Sequence, residues 1–266
     1  MVDQEFRDYI WQKGRELYRE MPWRQDTRPY YVLVSELMLQ QTQVVRVIPK
    51  FKAFIAAFPD EKTLSDASLA DILRLWQGLG YNRRAKYLHD AVKKIVYEWG
   101  GLWPQTAVEL QQLPGVGPNT AGALVAYAFN QKSIFIETNI RTVYFLHYFS
   151  DQNSVKDTQI QAVLARTLDT EHPREFYWAL MDYGSWLKSN GLRNLEQSEH
   201  YVKQSPLDGS VRQVRGAIVA ALTKSAMKEQ DLIKHLNADH RFDTALQGLL
   251  RDGLIEHGAK GLRLRE

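Results

Sequence analysis

Apolar residues recur at three- and four-residue steps along most of this chain, the spacing of helices that bury one stripe and solvate the rest. From Gln4 to Glu20, the positions Phe6, Tyr9, Ile10, Gly14, Leu17 and Tyr18 describe one such helix. The same period runs through residues 30–39, 44–58, 69–77, 84–99, 107–113, 120–129, 139–147 and 158–168. Breakers fall between the periodic segments: Phe58-Pro59-Asp60, Gly78-Leu79-Gly80, Gly100-Gly101, Pro114-Gly115 and Glu171-His172-Pro173. No alternating run in the first 200 residues is long enough to build a sheet, so the fold class expected is all-α.

Residues 189–210 change character. Asn190-Gly191 and Ser205-Pro206-Leu207-Asp208-Gly209 are turn formers, and the segment reads as an irregular connection. Helical periodicity resumes at 211–222, 229–236 and 242–250. The run from Gly253 to Leu264 then predicts two short strands around Gly258-Ala259-Lys260-Gly261, completing a winged-helix-like end.

Composition narrows the chemistry. The 266 residues suffice for one large domain plus a small one. There are no cysteines, which excludes disulfides, thiolate catalysis, cysteine-ligated zinc and iron-sulfur clusters. No run approaches the roughly twenty apolar residues of a membrane span, and charged residues stand where a signal peptide would be apolar, so no membrane partner and a cytoplasmic location are expected. The net charge of +3 permits a nucleic-acid partner without demanding one. The histidines at 89, 147, 172, 200, 235, 240 and 257 show no metal-ligand spacing on one helix face, so no catalytic metal and no cofactor are expected.

One local feature points to DNA. Leu113-Pro114-Gly115-Val116-Gly117 lies between two helical runs, and Thr120 follows at the start of the second. Such a turn leaves successive backbone N–H groups unshielded at a helix N-terminus, where they can grip a phosphate without reading sequence. Leu110 and Leu113 give the first helix an apolar face, while Ala121, Gly122 and Ala123 give the second a surface for close packing.

Four motifs occur in order: Met21-Pro22-Trp23-Arg24, Ser35-Glu36-Leu37-Met38-Leu39-Gln40-Gln41-Thr42-Gln43-Val44, Leu75-Trp76-Gln77-Gly78-Leu79-Gly80-Tyr81, and the Pro-Gly-Val-Gly turn. In these, residues 20 to about 188 resemble the helix-hairpin-helix superfamily of DNA glycosylases, most closely the MutY adenine glycosylases. The resemblance implies two helical lobes with a cleft between them, lobe A being 22–133 and lobe B 1–21 with 134–204, followed by a winged-helix-like domain at 205–266. It implies a monomer acting on double-stranded DNA that carries a mispaired or damaged base, in the nucleoid if the source is bacterial.

Hydrolysis of a nucleoside needs one protonated carboxyl group to donate to the base and one ionised carboxylate to stabilise the sugar cation or activate water. The resemblance places Glu36 as the acid, in an apolar helical stretch where partial burial would raise its pKa. It places Glu137 where the family has aspartate, and Asn139 where the family orients that carboxylate. The extra methylene of Glu137 moves the carboxylate by roughly a bond length, which leaves open an adjusted backbone, a slow enzyme or a different target base. Asn119 occupies the place of the nucleophilic lysine of endonuclease III enzymes. Asparagine cannot form a Schiff base, so base release without strand cutting is expected.

For filling the gap left by an everted base, the resemblance nominates Gln40 or Gln41 and Tyr81. Arg83, Arg84 and Lys86 suit phosphate contacts. The resemblance makes Leu113, Gly115, Val116, Gly117 and Thr120 the phosphate grip, and it allows the hairpin carbonyls to hold a monovalent cation, as in relatives. The family's four cluster cysteines fall near Lys188, Leu195, Ser198 and Gln204. The segment must then hold its shape by packing and hydrogen bonds, with Trp186, Leu192, Leu195 and Tyr201 as candidate anchors. In the tail, Arg212 and Arg215 stand one turn apart, where they suit either one phosphate strand or a simple packing face. The tail offers no counterpart of the family's domain that senses 8-oxoguanine, so recognition of that base is open, and a non-catalytic binder of distorted DNA remains a third reading.

Overall fold

The computed structural model describes residues 2–192, 194–199 and 205–266. Tyr201 and Gln204, named above as an anchor and a cysteine place, lie outside the described residues. In chain order the helices are α1 (Asp3–Glu16), α2 (Pro22–Gln25), α3 (Pro29–Leu39), α4 (Val44–Ala57), α5 (Glu61–Asp66), α6 (Leu69–Trp76), α7 (Arg83–Lys93), α8 (Ala107–Leu110), α9 (Pro118–Phe129), α10 (Thr138–Tyr148), α11 (Asp157–Thr167), α12 (Pro173–Ser189), α13 (Val211–Leu222), α14 (Glu229–Leu236) and α15 (Phe242–Arg251). Two antiparallel strands follow, β1 (Ile255–Gly258) and β2 (Gly261–Leu264), paired from Ile255 with Leu264 to Gly258 with Gly261. The strands fall where the Gly-Ala-Lys-Gly turn predicts them.

Helix ends follow local chemistry. Asp60, Ser68 and Ser210 each accept a backbone N–H three residues on, which starts α5, α6 and α13. The run expected as one helix over 84–99 is α7 continued by a π-helical turn at Lys94–Glu98. The helix expected over 107–113 stops at Leu110, short of the Pro114-Gly115 turn. Helix α9 begins two residues before Thr120, with Pro118 at its first position, where a missing N–H costs nothing.

Helix α12, 17 residues long, has no counterpart in the periodicity reading. Asp182 and Gly184 stand at buried positions among Phe176, Tyr177, Ala179, Leu180, Tyr183 and Leu187, so its buried face is not a plain apolar stripe. Helices α2 and α5 are too short for periodicity to register.

The chain forms two compact units, one of Met1–Val32, Pro104–Gln112 and Val116–Lys203, the other of Leu33–Trp103, Leu113–Gly115 and Gln204–Glu266. In the first, α12 packs on α1 and α10 around Phe6, Ile10, Ile140, Tyr144, Phe176 and Leu180, all fully buried. In the second, Phe54, Ile72, Trp76, Leu88 and Ile95 fill the space among α4 to α7, and Ile218, Leu232, Ala245, Leu249 and Leu254 fill that among α13 to α15 and β1. No described helix is long and apolar enough to cross a membrane.

Candidate active site

Glu36 sits on α3 among buried Val34, Ser35, Leu37 and Met38, and is itself half-buried. Beyond the last turn of α3, Gln41 adopts a left-handed backbone with φ of 55°, as does Tyr81 at 49° in the Gly78-Leu79-Gly80-Tyr81 turn. For residues with a Cβ this conformation costs roughly 1–2 kcal/mol each, so the surroundings must enforce it.

Arg84 supplies the enforcement. Its guanidinium donates to the carbonyls of Leu37 (2.7 Å), Met38 (2.9 Å), Leu79 (3.0 Å) and Gly80 (3.0 Å), and to that of Gln40. It is 6% exposed, and burial pushes its pKa down to about 10. A cation on the last carbonyls of a helix both caps it and opposes its dipole. The expectation of a phosphate contact at Arg84 therefore does not fit this geometry. The side chain is committed inward, tying the Leu-Gln-Gln-Thr segment to the Gly-Leu-Gly-Tyr turn.

Its neighbour Arg83 is exposed, lies 3.6 Å from Asp252 and covers the Tyr87 ring. Lys86 pairs with Asp90. Gln40 is half-buried and Gln41 exposed, and both border, with Tyr81, a cleft of about 950 Å³.

The hairpin turn is specified twice at Gly115. Its φ is 77°, and a Cβ there would lie 2.7 Å from Cβ of Tyr87. Leu113 and Val116, expected among the DNA-contacting residues, have side chains only 2% and 5% exposed. Their burial makes them packing residues of the turn rather than side-chain contacts to a strand. Gly117 is exposed and forms the N-cap of α9, and Thr120 is half-buried in that helix's first turn.

In the other unit, Glu137 is the N-cap of α10, with φ −105° and ψ 167°, and its carbonyl accepts the first helical bond from Arg141 at 2.8 Å. Two contacts fix the backbone around it. Asn119 donates to the carbonyl of Ile136 at 2.9 Å and accepts from the Ile136 N–H at 3.4 Å, closing on the residue before Glu137 from both sides. On the other side Gly184 of α12 meets the backbone of Asn139 so closely that a Cβ would lie 2.2 Å from its carbonyl oxygen.

Asn139 does not show the expected bond to Glu137. Its amide nitrogen points at Sδ of Met181, 3.9 Å away, and its Oδ1 is buried with no partner among the described residues. Lys188, one turn beyond Gly184, senses this region electrostatically. Burial and the charge of Arg19 push its ammonium below the ordinary lysine pKa, and the carboxylate of Glu137 opposes that.

The Met-Pro-Trp-Arg motif has a partner that sequence reading missed. Arg24 makes a bidentate pair with Asp182 at 2.7 and 2.9 Å, and Arg19 donates to the same carboxylate at 2.7 Å through its side chain and 3.1 Å through its backbone. Asp182 is 2% exposed. Because Asp182 and Gly184 lie on α12, outside the segments read from periodicity, neither was a candidate. A glycine inside an aromatic helix was the one available sign of a close approach.

At the places of the family's cluster cysteines, Lys188, Leu195 and Ser198 cannot ligate iron, nor can Gln204, so these residues do not fit an iron-sulfur cluster. The segment is sewn down by amides instead. Gln197 Nε2 donates to the carbonyls of Phe149, Ser150 and Gln152, Asn194 Nδ2 to that of Thr142, and Ser198 forms an isolated bridge with Val155. Of the expected apolar anchors, Trp186 is 44% exposed, while Leu192 and Leu195 are half-buried. Among the described residues the side-chain hydrogen bonds that tie the segment come from Asn194 and Gln197. Among the described residues, no group of three or more His, Asp or Glu could hold a metal ion.

This arrangement belongs to a known class of folds. A solved thermostable thymine-DNA glycosylase is similar in fold, with TM-score 0.62 and 22% identity over 69% of this chain and 86% of that one. Residues 34–170 match the model of the HhH-GPD superfamily base excision DNA repair proteins. The chain belongs to that family. It is 33% identical over 265 residues to the adenine DNA glycosylase of Mycolicibacterium smegmatis, covering 91% of this chain and 90% of that protein. It is 38% identical over 183 residues to the adenine DNA glycosylase of Buchnera aphidicola subsp. Baizongia pistaciae, covering 66% of this chain, and it matches about half, 51%, of that relative's length.

Proposed function

We propose that the chain is a monofunctional DNA glycosylase that hydrolyses the N-glycosidic bond of an everted adenine mispaired with guanine or 8-oxoguanine. The observation that carries this reading is the double hold on the segment around Glu137, by Asn119 from one side and Gly184 from the other. A carboxylate that must face a developing cation has to be placed to within a fraction of an ångström. Nothing about a mere DNA-binding surface requires such placement. That several relatives are named adenine DNA glycosylases favours adenine as the target.

In this reading Glu36, half-buried on its apolar helix, keeps a proton and donates it to the departing base, which leaves neutral rather than as an anion. Glu137 remains ionised and stabilises the positive sugar, after which water adds to the anomeric carbon. Asn119 has no amine to attack that carbon and is occupied with Ile136, so the product is an abasic site in an uncut strand. The division into a glycosylase portion at 1–204 and a winged-helix-like domain at 205–266 belongs to the same proposal.

The test is a panel of duplexes with each candidate base opposite each partner, treated with alkali after incubation to reveal abasic sites. Adenine release from A opposite G or 8-oxoguanine is expected, with Glu36→Gln and Glu137→Gln each slowing single-turnover release by roughly 10²–10⁴-fold. Release of another base would redirect the target. Tight binding with no release from any duplex would leave a binder of distorted DNA.

A further inference from the structure

The cleft beside Tyr81 lies wholly within the second unit and joins two stretches of sequence far apart in the chain. One wall is Gln40, Gln41, Arg46 and residues 77–84, and the other is Ser205, Leu207, residues 211–213, 215 and 216 of α13, and Leu249, Arg251 and Asp252 at the end of α15. Among the described residues six arginines line it, at 46, 83, 84, 212, 215 and 251, against the single carboxylate of Asp252. A chain whose whole formal charge is +3 thus places a larger positive excess than that in one concave surface.

Three of the six are accounted for internally. Arg84 is spent on carbonyls, and Asp252 takes Arg215 in an ion pair and has Arg83 at 3.6 Å. Arg46, Arg212 and Arg251 have no carboxylate partner among the described residues. Arg46 donates only to the carbonyl of Gly78, and Arg212 to the carbonyl of Ser205 and to the hydroxyl of Tyr81. Low-dielectric walls around like charges focus the field outward, and such a cleft draws polyanions.

Arg212 also marks where the polyanion would lie. Its guanidinium sits 5.2 Å from the centre of the Tyr81 ring, and that of Arg84 sits 5.4 Å from the same ring. Tyr81 is the residue held in the left-handed conformation at the end of its glycine turn. A simple packing face would bury apolar surface against α13. Here the contact from α13 to the turn is a cation on an aromatic ring at the lip of an open, arginine-lined channel.

We propose that this cleft is a second DNA subsite, in which Arg46, Arg212 and Arg251 take the phosphodiester backbone of the strand that passes Tyr81, so that the C-terminal segment is part of the DNA-binding surface. The proposal rests on the reading that the chain acts on DNA, and it assigns the C-terminal helices a share of that task. Arg212 is also a positioning residue for Tyr81, since the same guanidinium binds the ring's hydroxyl and faces the channel.

The test uses the full chain and a duplex with a tetrahydrofuran abasic site, which cannot be turned over. Affinity is measured by fluorescence anisotropy across a salt series for wild type, Arg251→Gln, Arg46→Gln and the double variant Arg212→Gln/Arg251→Gln, with thermal melts to confirm folding. Each lost phosphate contact should reduce the slope of log affinity against log salt by about 1, and the double variant by about 2. An unchanged slope in the folded double and single variants overturns the proposal. Inorganic phosphate at matched ionic strength is the second arm. If it raises the melting temperature of wild type but not of the double variant, while the duplex slope is unchanged, the cleft takes a free phosphate and the proposal is also overturned. Base release is scored separately. Wild type that binds with the arginine-dependent slope yet releases no base leaves the cleft standing and removes the glycosylase reading.

Discussion

Gly184→Ala isolates the geometric demand on Glu137 from the stability of the fold. The added Cβ would meet the Asn139 carbonyl oxygen at 2.2 Å, its carbon at 2.7 Å and its Cα at 2.9 Å, all backbone atoms with no rotamer to yield. Carbon and oxygen come no closer than about 3.3 Å even in favourable C–H···O contacts, so α12 and the start of α10 must part by about 1 Å. Asn139 is two residues from Glu137, so the carboxylate moves with it. A shift of that size at a reacting centre costs roughly 10²-fold in rate, and the repacking costs about 1–3 kcal/mol of stability. Gly14→Ala is the matched control. Its Cβ would meet Cβ of Ala179 at 2.5 Å on the same helix α12, five residues and about 7.5 Å along the axis from Gly184. Both variants should lose comparable stability in urea, but only Gly184→Ala should lose the single-turnover rate of base release at saturating enzyme. The reasoning fails if Gly184→Ala keeps the wild-type rate. It fails equally if Gly14→Ala slows the reaction as much, because the effect would then be general loosening of α12.

Three other outcomes follow from particular contacts. Asn119→Leu leaves the N–H and C=O of Ile136 without their side-chain partners, and should cost about 1–3 kcal/mol in urea denaturation with a slower rate; unchanged stability would mean that water replaces the clamp. Asp182→Asn removes the charge shared by Arg24 and Arg19 and should destabilise by about 3–5 kcal/mol, whereas a loss under about 1 kcal/mol would show that the guanidiniums find other acceptors. His89, 4% exposed on α7, is held neutral mainly by burial, with its pKa down to about 4. The unfolded chain binds that proton near pH 6.5 and the folded one does not until about 4, so stability falls as pH drops through this window, by at most about 3 kcal/mol. His89→Gln should flatten that part of the stability–pH curve, and an unaltered slope would place the acid sensitivity elsewhere.

What the sequence showed and what it hid separate along physical lines. Amphipathic helices with one wet face, such as α4 and α6, were legible because their stripe has a period. Helix α12 was not, because a carboxylate and a glycine, Asp182 and Gly184, stand on its buried face where a stripe would carry apolar side chains. The motif residues Glu36, Gln40, Gln41, Tyr81 and Arg84 were visible as a set, but the set did not say which side chain faces inward. Arg84 beside Tyr81 looks like a surface cation in one dimension. In three dimensions it is the tie that collects five carbonyls and makes the Gly-Leu-Gly-Tyr turn and the end of α3 one object.

The stretch that relatives fold around iron carries the same lesson further. Without cysteines, a loop of this kind has no strong central bond, and its described apolar side chains, Leu192 and Leu195, are only half-buried. Its fixed points include Asn194, whose amide reaches the carbonyl of Thr142 within α10, Gln197, whose amide reaches those of Phe149, Ser150 and Gln152 just beyond it, and the bridge of Ser198 to Val155. Each such hydrogen bond contributes only about 0.5–1.5 kcal/mol, but together they fasten the loop to α10 and to the chain that follows it. Gln197→Ala should therefore loosen this loop first, seen as faster amide exchange at Val155 and Glu199, whose N–H groups close the bridge. Unchanged exchange at both amides would mean that the loop is held by something other than the side-chain amides.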